Sequence, residues 1–531
     1  MKRQSSIFIN QVGYLPGDSK FVYLTEDVKG KAEKFELCDA ESGSTVYTGE
    51  LKNSVSNGSL DKSAGEMIFA GDFSSVKTPG NYLVRVDGKE SFKFKIADRV
   101  YDDLLFSTLN YFKLSRCGQG VCHTDAAEVY GTGEIKNVQG GWHDAGDYGR
   151  YIVAGTKTVM DLLLAYDSLG AGYKAFDVLD EVRFELEWML QLQRDDGAVY
   201  HKISCYHFCG FIMPEEEKDK LVIAPVSTAA TADFAGCLAY AAKYYKDSDE
   251  DFANTLIEAA KKAQKYLETH EDELYINPPE ITTGGYGDRN VVDERYFAAT
   301  SLWAATGDEA YLKIALDLRA KEKARIPDPN TPWDKGWLEG YGWPMVSGYG
   351  SEILLQNKDC LKKINGGAEL LKEIEDQFVM QANEIVATVE NAAFKTSTTN
   401  FMWGSNGFVC DLGHILMVGY SVKQDEKYLK AAKAQIDYVL GCNPLNYCYI
   451  TGAGTKSPVN PHHRPSGASK KVMPGMLAGG PCAGLHDEYA KKHLTGMAPL
   501  KCYIDAVPSY STNEIAIYWN SAFIYLLSKV M

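Results

Sequence analysis

The run Gly140-Gly141-Trp142-His143-Asp144-Ala145-Gly146-Asp147-Tyr148 is the densest polar cluster of the chain. Two carboxylates three residues apart, set among small residues ahead of a helical pattern, can face one cavity and act on one water molecule. A helix N-terminus behind them would favour their ionised forms. An N-cap aspartate with its turn leaves the same pattern, so acid–base chemistry needs a further carboxylate from elsewhere. Glu514 is the candidate, within Ser509-Tyr510-Ser511-Thr512-Asn513-Glu514-Ile515-Ala516-Ile517-Tyr518-Trp519-Asn520. It is expected at the start of an apolar, aromatic helix, where partial burial raises a carboxyl pKa as a general acid requires. A capping-box glutamate paired with Ser511 is the structural alternative.

A Gly/Pro-rich stretch carries His462 and Arg464 at alternate positions. Such a pair can hydrogen-bond sugar hydroxyls, Arg offering a rigid fork of donors. An anion site, a metal site and a loop packed for stability are the competing readings. Cys117, Cys122, His123 and His143 form a Cys2His2 set. Two thiolates and two imidazoles suit tetrahedral zinc, and four protein ligands leave no open position for water. Buried cysteines packing as small hydrophobes are the alternative.

The elements that must hold these residues fall into two regimes. From Ile7 to about Ala97 the pattern has period two, in runs such as Phe21-Val22-Tyr23-Leu24 and Tyr82-Leu83-Val84-Arg85-Val86, with turn formers between them. That predicts an immunoglobulin-like β-sandwich over 1–97. From 98 to 531 the period is helical, with starts near Val100, Tyr148, Asp177, Thr228, Asp251, Val291, Asp308, Met345, Ala368, Gly404, Glu426 and Asn513. About twelve helices suggest six helical hairpins closed into an (α/α)6 barrel, with a less regular bundle or solenoid the other possibility. The expected class is mainly α.

The chain of 531 residues exceeds one hydrophobic core. Its net charge of −16 offers no basic excess to displace counterions from phosphates, which argues against a nucleic-acid partner. No run reaches the length of a membrane span and no secretory leader is visible, so a cytoplasmic setting is expected, or a secreted one for a trimmed chain. Twelve scattered cysteines do not form a disulfide framework. The 33 tyrosines and 8 tryptophans permit sugar stacking without requiring it.

The strings WHDAGDY, SYSTNEIAIYWNSAF and TGAGTKSPVNPHHRPSG are similar to three signature regions of glycoside hydrolase family 9, and VYHKI, GFIMPEE, PVSTAATADFA and MWGSN extend the likeness along the chain. That resemblance implies an immunoglobulin-like module before an (α/α)6 barrel, and cleavage with inversion at the anomeric carbon. It makes Asp147 the base that deprotonates the attacking water, Asp144 a holder of that water, and Glu514 the acid that protonates the departing oxygen. Inversion calls for base and acid carboxyls roughly 6.5–9.5 Å apart. It further implies sugar contacts from His462 and Arg464, aromatic platforms from Trp403 and Trp519, and a structural zinc on Cys117, Cys122, His123 and His143. Gly284-Gly285-Tyr286-Gly287-Asp288 with Asp293 and Glu294 resembles a calcium loop of the family, although Pro344 follows Trp343 where an aspartate is usual. An acidic helix start would account for Asp293 and Glu294 equally.

Hydrolysis of β-1,4-glucosidic bonds in cello-oligosaccharides or soluble β-glucans is the function expected. The alternatives are an exo-β-glucosaminidase on chitosan oligosaccharides, a zinc hydrolase working through His123 and His143, and a non-catalytic carbohydrate-binding protein.

Overall fold

The computed structural model describes residues 7–55, 58, 60–118, 126–170, 172–327 and 336–531. They form two compact units, residues 1–111 with 382–531, and residues 112–381.

The first unit begins with nine strands, eight in one hydrogen-bonded order and the ninth, Lys89–Glu90, paired beside Gly80–Val86. The long strand Thr45–Asn53 pairs through residues 45–50 with Lys34–Asp39 and through residues 51–53 with Ile68–Asp72, so one strand serves both halves of the array. Period-two alternation sends Val22, Phe35, Leu37, Val84 and Phe94 into a shared core, where Phe73 meets Tyr14 and Phe94 edge to face or tilted. Thr45–Asn53 and Ile68–Asp72 were not legible as strands, since each buries only two residues and shows no apolar alternation.

The same unit holds the helices Ser405–Lys423, Glu426–Leu440 and Ile517–Val530. The strand region is fastened to them by polar bonds. Asn10 Nδ2 donates to Asp437 Oδ1 (2.9 Å), and Gln11 donates to the Asn446 carbonyl while its own amide oxygen accepts the Thr455 and Lys456 N–H groups. Burial pushes Asp437 up to about 8.

In the second unit, caps and stripes set the helices. Asp177, Ser227, Asp249 and Asp308 each accept a first-turn N–H of the helix that follows. Glu250–Thr269 buries Phe252, Leu256, Ala260, Ala263 and Leu267, one stripe at helical spacing. Thr228–Tyr245 is buried on nearly every side and packs through small residues against Glu250–Thr269 and Val292–Thr306. Twelve helices of ten residues or more occur among the described residues of both units, each beginning within a few residues of an expected start. No helix among the described residues is long and apolar enough to cross a membrane.

A five-stranded sheet in the second unit was not anticipated. It runs Ile135–Asn137, Ala126–Val129, Leu221–Ile223, Lys202–Cys205, Arg150–Tyr151. Strands of two to four residues carry too little alternation to be read from sequence. Its last member leads straight out of the Asp144/Asp147 loop.

Candidate active site

The helix expected near Tyr148 begins at Ile152, with Tyr151 as N-cap and no side-chain cap bond. Neither Asp144 nor Asp147 therefore caps it, which removes the N-cap reading and also the helix-dipole effect expected on both. They sit in a tight bend instead. Asp144 N donates to the Gly149 carbonyl (2.9 Å), and Gly149 N donates to Asp147 Oδ2 (3.1 Å).

Buried ionisable groups hold this bend from behind. Glu185 Oε2 accepts the Trp142 N–H (2.7 Å), and Glu181 accepts the Trp142 indole N–H (2.8 Å) and a two-pronged bond from Arg116. The Arg150 guanidinium donates to the carbonyls of Val138 and Gly140. Gly141 has φ +78° and lies against the Trp188 ring, where a Cβ would come within 2.6 Å of it, so only glycine fits. Burial pushes Glu185 up to about 8, against the pull of the Trp142 amide and Arg150.

The two aspartates differ. Asp144 is buried, its Oδ2 accepts the Tyr286 hydroxyl (2.5 Å), and its Oδ1 has no partner. Burial raises its pKa well above the carboxylate range; the Tyr286 bond opposes this and the neighbouring Asp147 charge adds to it. Asp147 is only partly buried. Its charge is felt by Lys202, which burial lowers to about 7. Lys202 pairs across strands with Tyr151, lies 5.4 Å from that ring, and donates to Thr283 Oγ1 and the Gly284 carbonyl. Tyr286, Glu185 and Lys202 were all missed by the sequence reading. For Tyr286 a signal existed: a tyrosine between two glycines, which adopts φ +51°, a conformation non-glycine residues rarely take.

Glu514 also departs from expectation. It follows the short helix Tyr510–Asn513 in extended conformation, and the terminal helix starts only at Ile517. The Ser511 hydroxyl and N–H both bond Asp487 Oδ2 (2.5 and 3.0 Å), so Ser511 forms no capping box with Glu514. Backbone bonds fix the segment on both sides. Gly479 N donates to the Glu514 carbonyl (2.8 Å) and His462 N donates to the Asn513 carbonyl (2.9 Å). Glu514 and His462 are bridge partners in a parallel pairing, and residues paired in this way turn their side chains to the same face.

His462 Nδ1 lies 2.7 Å from the Val507 carbonyl. A carbonyl can only accept, so Nδ1 carries the hydrogen. Arg464 is buried at the first turn of Arg464–Ser469. Trp403 is 40% exposed and lies 5.3 Å from the Tyr510 ring and 6.2 Å from His486, whose carbonyl accepts the Tyr510 hydroxyl. Tyr510 in turn meets His462 edge to face at 5.8 Å. Tyr510 and His486 thus belong with the residues named from sequence. Trp519 is a correction. It is 6% exposed, and its ring fills the space that Cβ atoms at Gly404 and Gly407 would need, so its face is spent on packing.

Of the zinc set, Cys122 and His123 lie outside the described residues. Cys117 and His143 stand on one small antiparallel ladder: Cys117 N bonds the Gly141 carbonyl, His143 N bonds the Ser115 carbonyl, and Arg116 pairs with Trp142 between them. Alternation places Cys117 and His143 on the same face. For calcium, Asp293 and Glu294 start Val292–Thr306, and Asp293 Oδ2 accepts the Val346 N–H. Asp233 and Glu294 are fully buried, and no carboxylate oxygen of either has a donor. Burial pushes Asp288 to about 6, helped by the Glu322 charge, and burial with the repulsion of neighbouring carboxylates pushes Asp293 to about 7 and Glu294 and Asp233 well up. Oxygens without donors suit a hard cation, yet among the described residues no three metal-binding side chains converge as they stand.

Residues 101–527 match Glycosyl hydrolase family 9, and residues 2–91 match the Cellulase N-terminal ig-like domain. The chain belongs to glycosyl hydrolase family 9. It is a glycoside hydrolase, and its fold class is mainly α, an (α/α)6 barrel preceded by an immunoglobulin-like β-sandwich. A cellodextrinase of Butyrivibrio fibrisolvens is 34% identical, with 99% of each chain covered. Among family 9 structures, AaCel9A in complex with cellobiose-like isofagomine is 32% identical at a TM-score of 0.86, covering 98% of this chain and 99% of that one. A Zn-binding triple mutant of the endoglucanase J30 is 27% identical at a TM-score of 0.88, covering 97% and 99%.

Proposed function

We propose that the protein hydrolyses β-1,4-glucosidic bonds of cello-oligosaccharides or soluble β-glucans with inversion, Asp147 acting as base and Glu514 as acid. The observation that carries the assignment of the base is the asymmetry within one bend: Asp144 is sealed beneath Tyr286, whereas Asp147 remains open to a water molecule. Asp147 takes a proton from water as its oxygen attacks the anomeric carbon from the face opposite the leaving group. The glycosidic C–O bond breaks, and Glu514 gives its proton to the departing oxygen. Asp144, held by Tyr286, orients the water. His462, the bridge partner of Glu514, and Arg464, two residues after it, bind hydroxyls of the sugar, and the platform role falls to Trp403. The cellodextrinase relative and the isofagomine complex support the substrate class; neither supports a glucosaminidase or a non-catalytic binder.

We further propose that zinc, on Cys117, Cys122, His123 and His143, braces the bend that carries Asp147. The shared face of Cys117 and His143 and the Zn-binding relative support this. Calcium near Asp288, Asp293 and Glu294 rests on the donorless oxygens alone. A sandwich over 1–97 and a hydrolase domain over 98–531 fit the two family spans and the end of the last sandwich strand at Ile96.

The test is NMR of cellotetraose hydrolysis in its first minutes. The α-anomer is expected as the first new reducing end. A β-anomer would exclude this pair of roles.

A further inference from the structure

We propose that Lys202 is a positioning residue of the base: its ammonium clips the segment that carries Tyr286 to the strand beside the Asp147 bend, and sets a positive charge toward Asp147. This rests on the hydrolase reading above and adds to it the group that readies the base for attack.

Three consecutive residues ahead of Tyr286 are caught by residues 201–204. Thr283 Oγ1 accepts from the Lys202 ammonium (2.9 Å) and lies 2.8 Å from the Ser204 hydroxyl. The Gly284 carbonyl accepts from the same ammonium (2.5 Å), and the Gly285 carbonyl accepts from His201 Nε2 (2.9 Å). The next residue, Tyr286, donates to Asp144 Oδ2. On its other side Lys202 stands opposite Tyr151, in the strand that leaves the bend. The Tyr151 hydroxyl lies between the two regions: a Cβ at Gly149 would come within 2.6 Å of it and one at Gly284 within 3.1 Å. Gly149 is also the residue whose N–H holds Asp147 Oδ2. Lys202 therefore ties the Tyr286 segment to the very place where the base is fixed.

Lys202 is fully buried, and both of its hydrogen bonds end on neutral oxygens. A buried ammonium held only by neutral groups is costly, which a purely structural tie between a strand and a loop does not call for. The negative charge it feels is that of Asp147, which opposes the loss of a proton that burial favours. Such attraction is mutual, so the ammonium favours the carboxylate form of Asp147, the form that can take a proton from water. The other ionisable groups about the bend are Asp144, Tyr286, Tyr151, Tyr275 and His201, and none of them supplies a positive charge: His201 is lowered by burial to about 3 and stays neutral. Arg150, the other cation, spends its guanidinium on the carbonyls of Val138 and Gly140.

The experiment records kcat and KM on cellotetraose as a function of pH, with a denaturant melt, for the unaltered protein and for Lys202→Met, Lys202→Gln, Lys202→Arg and Thr283→Val. In Lys202→Met and Lys202→Gln the acid limb of kcat/KM is expected to move up by about one pH unit, because no cation then favours the carboxylate. Their kcat at the optimum should fall roughly tenfold with KM within about twofold. Lys202→Arg keeps the charge and should return the limb to its original place. Thr283→Val removes a bond but not the charge and should leave the limb where it was. Glutamine keeps a donor for either oxygen, so the limb can be read even where the methionine variant unfolds. A limb that stays in place in Lys202→Gln would overturn the proposal. So would an equal displacement in Thr283→Val, which would make the ammonium a prop of the segment and nothing more. If the unaltered protein hydrolysed no cellotetraose, the hydrolase reading beneath the proposal would fall instead.

Discussion

The bend carrying Asp144 and Asp147 and the segment carrying Glu514 hold their carboxylates by opposite means. The bend is gripped by side chains: Glu185 on the Trp142 amide, Glu181 on the Trp142 indole N–H with Arg116 holding Glu181, Arg150 on two carbonyls, Tyr286 on Asp144. The frame of Glu514 has a larger backbone share: its own carbonyl on Gly479, the preceding carbonyl on His462, and an extended bridge on each side, beside the side-chain bonds of Asn513 to Tyr503, Asp505 and the Asn460 carbonyl. A grip made of buried polar and ionisable side chains can be undone by one substitution, because removing one partner leaves another buried and unsatisfied. A backbone grip survives most single changes. The base should therefore be mutationally fragile in its surroundings, and the acid robust.

Among changes to the surroundings of the two carboxyls, the largest effect is expected from Glu185→Ala, which orphans the Trp142 N–H and removes the acidic neighbour of Arg150. It should cost about 3 kcal/mol in a denaturant melt and lower kcat by more than tenfold. An unaltered melt would show that the side-chain grip is not what holds the bend. Tyr286→Phe deletes one hydroxyl. A roughly tenfold fall in kcat with a stability change within about 1 kcal/mol is expected; unchanged kcat would detach Asp144 from the chemistry. Ser511→Ala, on the acid side, removes a hydroxyl bond to Asp487 but leaves the backbone N–H on the same oxygen. Its kcat should change less than about twofold and its stability by about 1 kcal/mol. A drop as deep as that of Glu185→Ala would erase the contrast between the two regions.

Much of the architecture was legible because its signals are long. Twelve amphipathic stretches such as Glu250–Thr269 repeat their pattern over several turns. Short or polar elements were not: the edge-like strand Thr45–Asn53 lacks alternation, and the two residues Arg150 and Tyr151 cannot show a period at all. At the site, residue types and spacing pointed to Asp147 and Glu514, but their local frames were misread. A helix start was assigned to both, whereas one stands in a bend and the other on a bridge. Contacts made across dozens of residues, such as Tyr286 with Asp144, leave no spacing to read. Trp519 shows the converse difficulty, since an aromatic in a signature string looks the same whether it meets a sugar or two glycines.

The assignment of base and acid is tested most directly by changing the leaving group. Glu514→Gln and Asp147→Asn should each lower kcat on cellotetraose by a factor on the order of 1,000. On β-cellobiosyl fluoride, whose leaving group needs no proton, Glu514→Gln should regain nearly full activity while Asp147→Asn stays inactive. Equal rescue of both variants, or of neither, would contradict the division of labour between the two carboxyls.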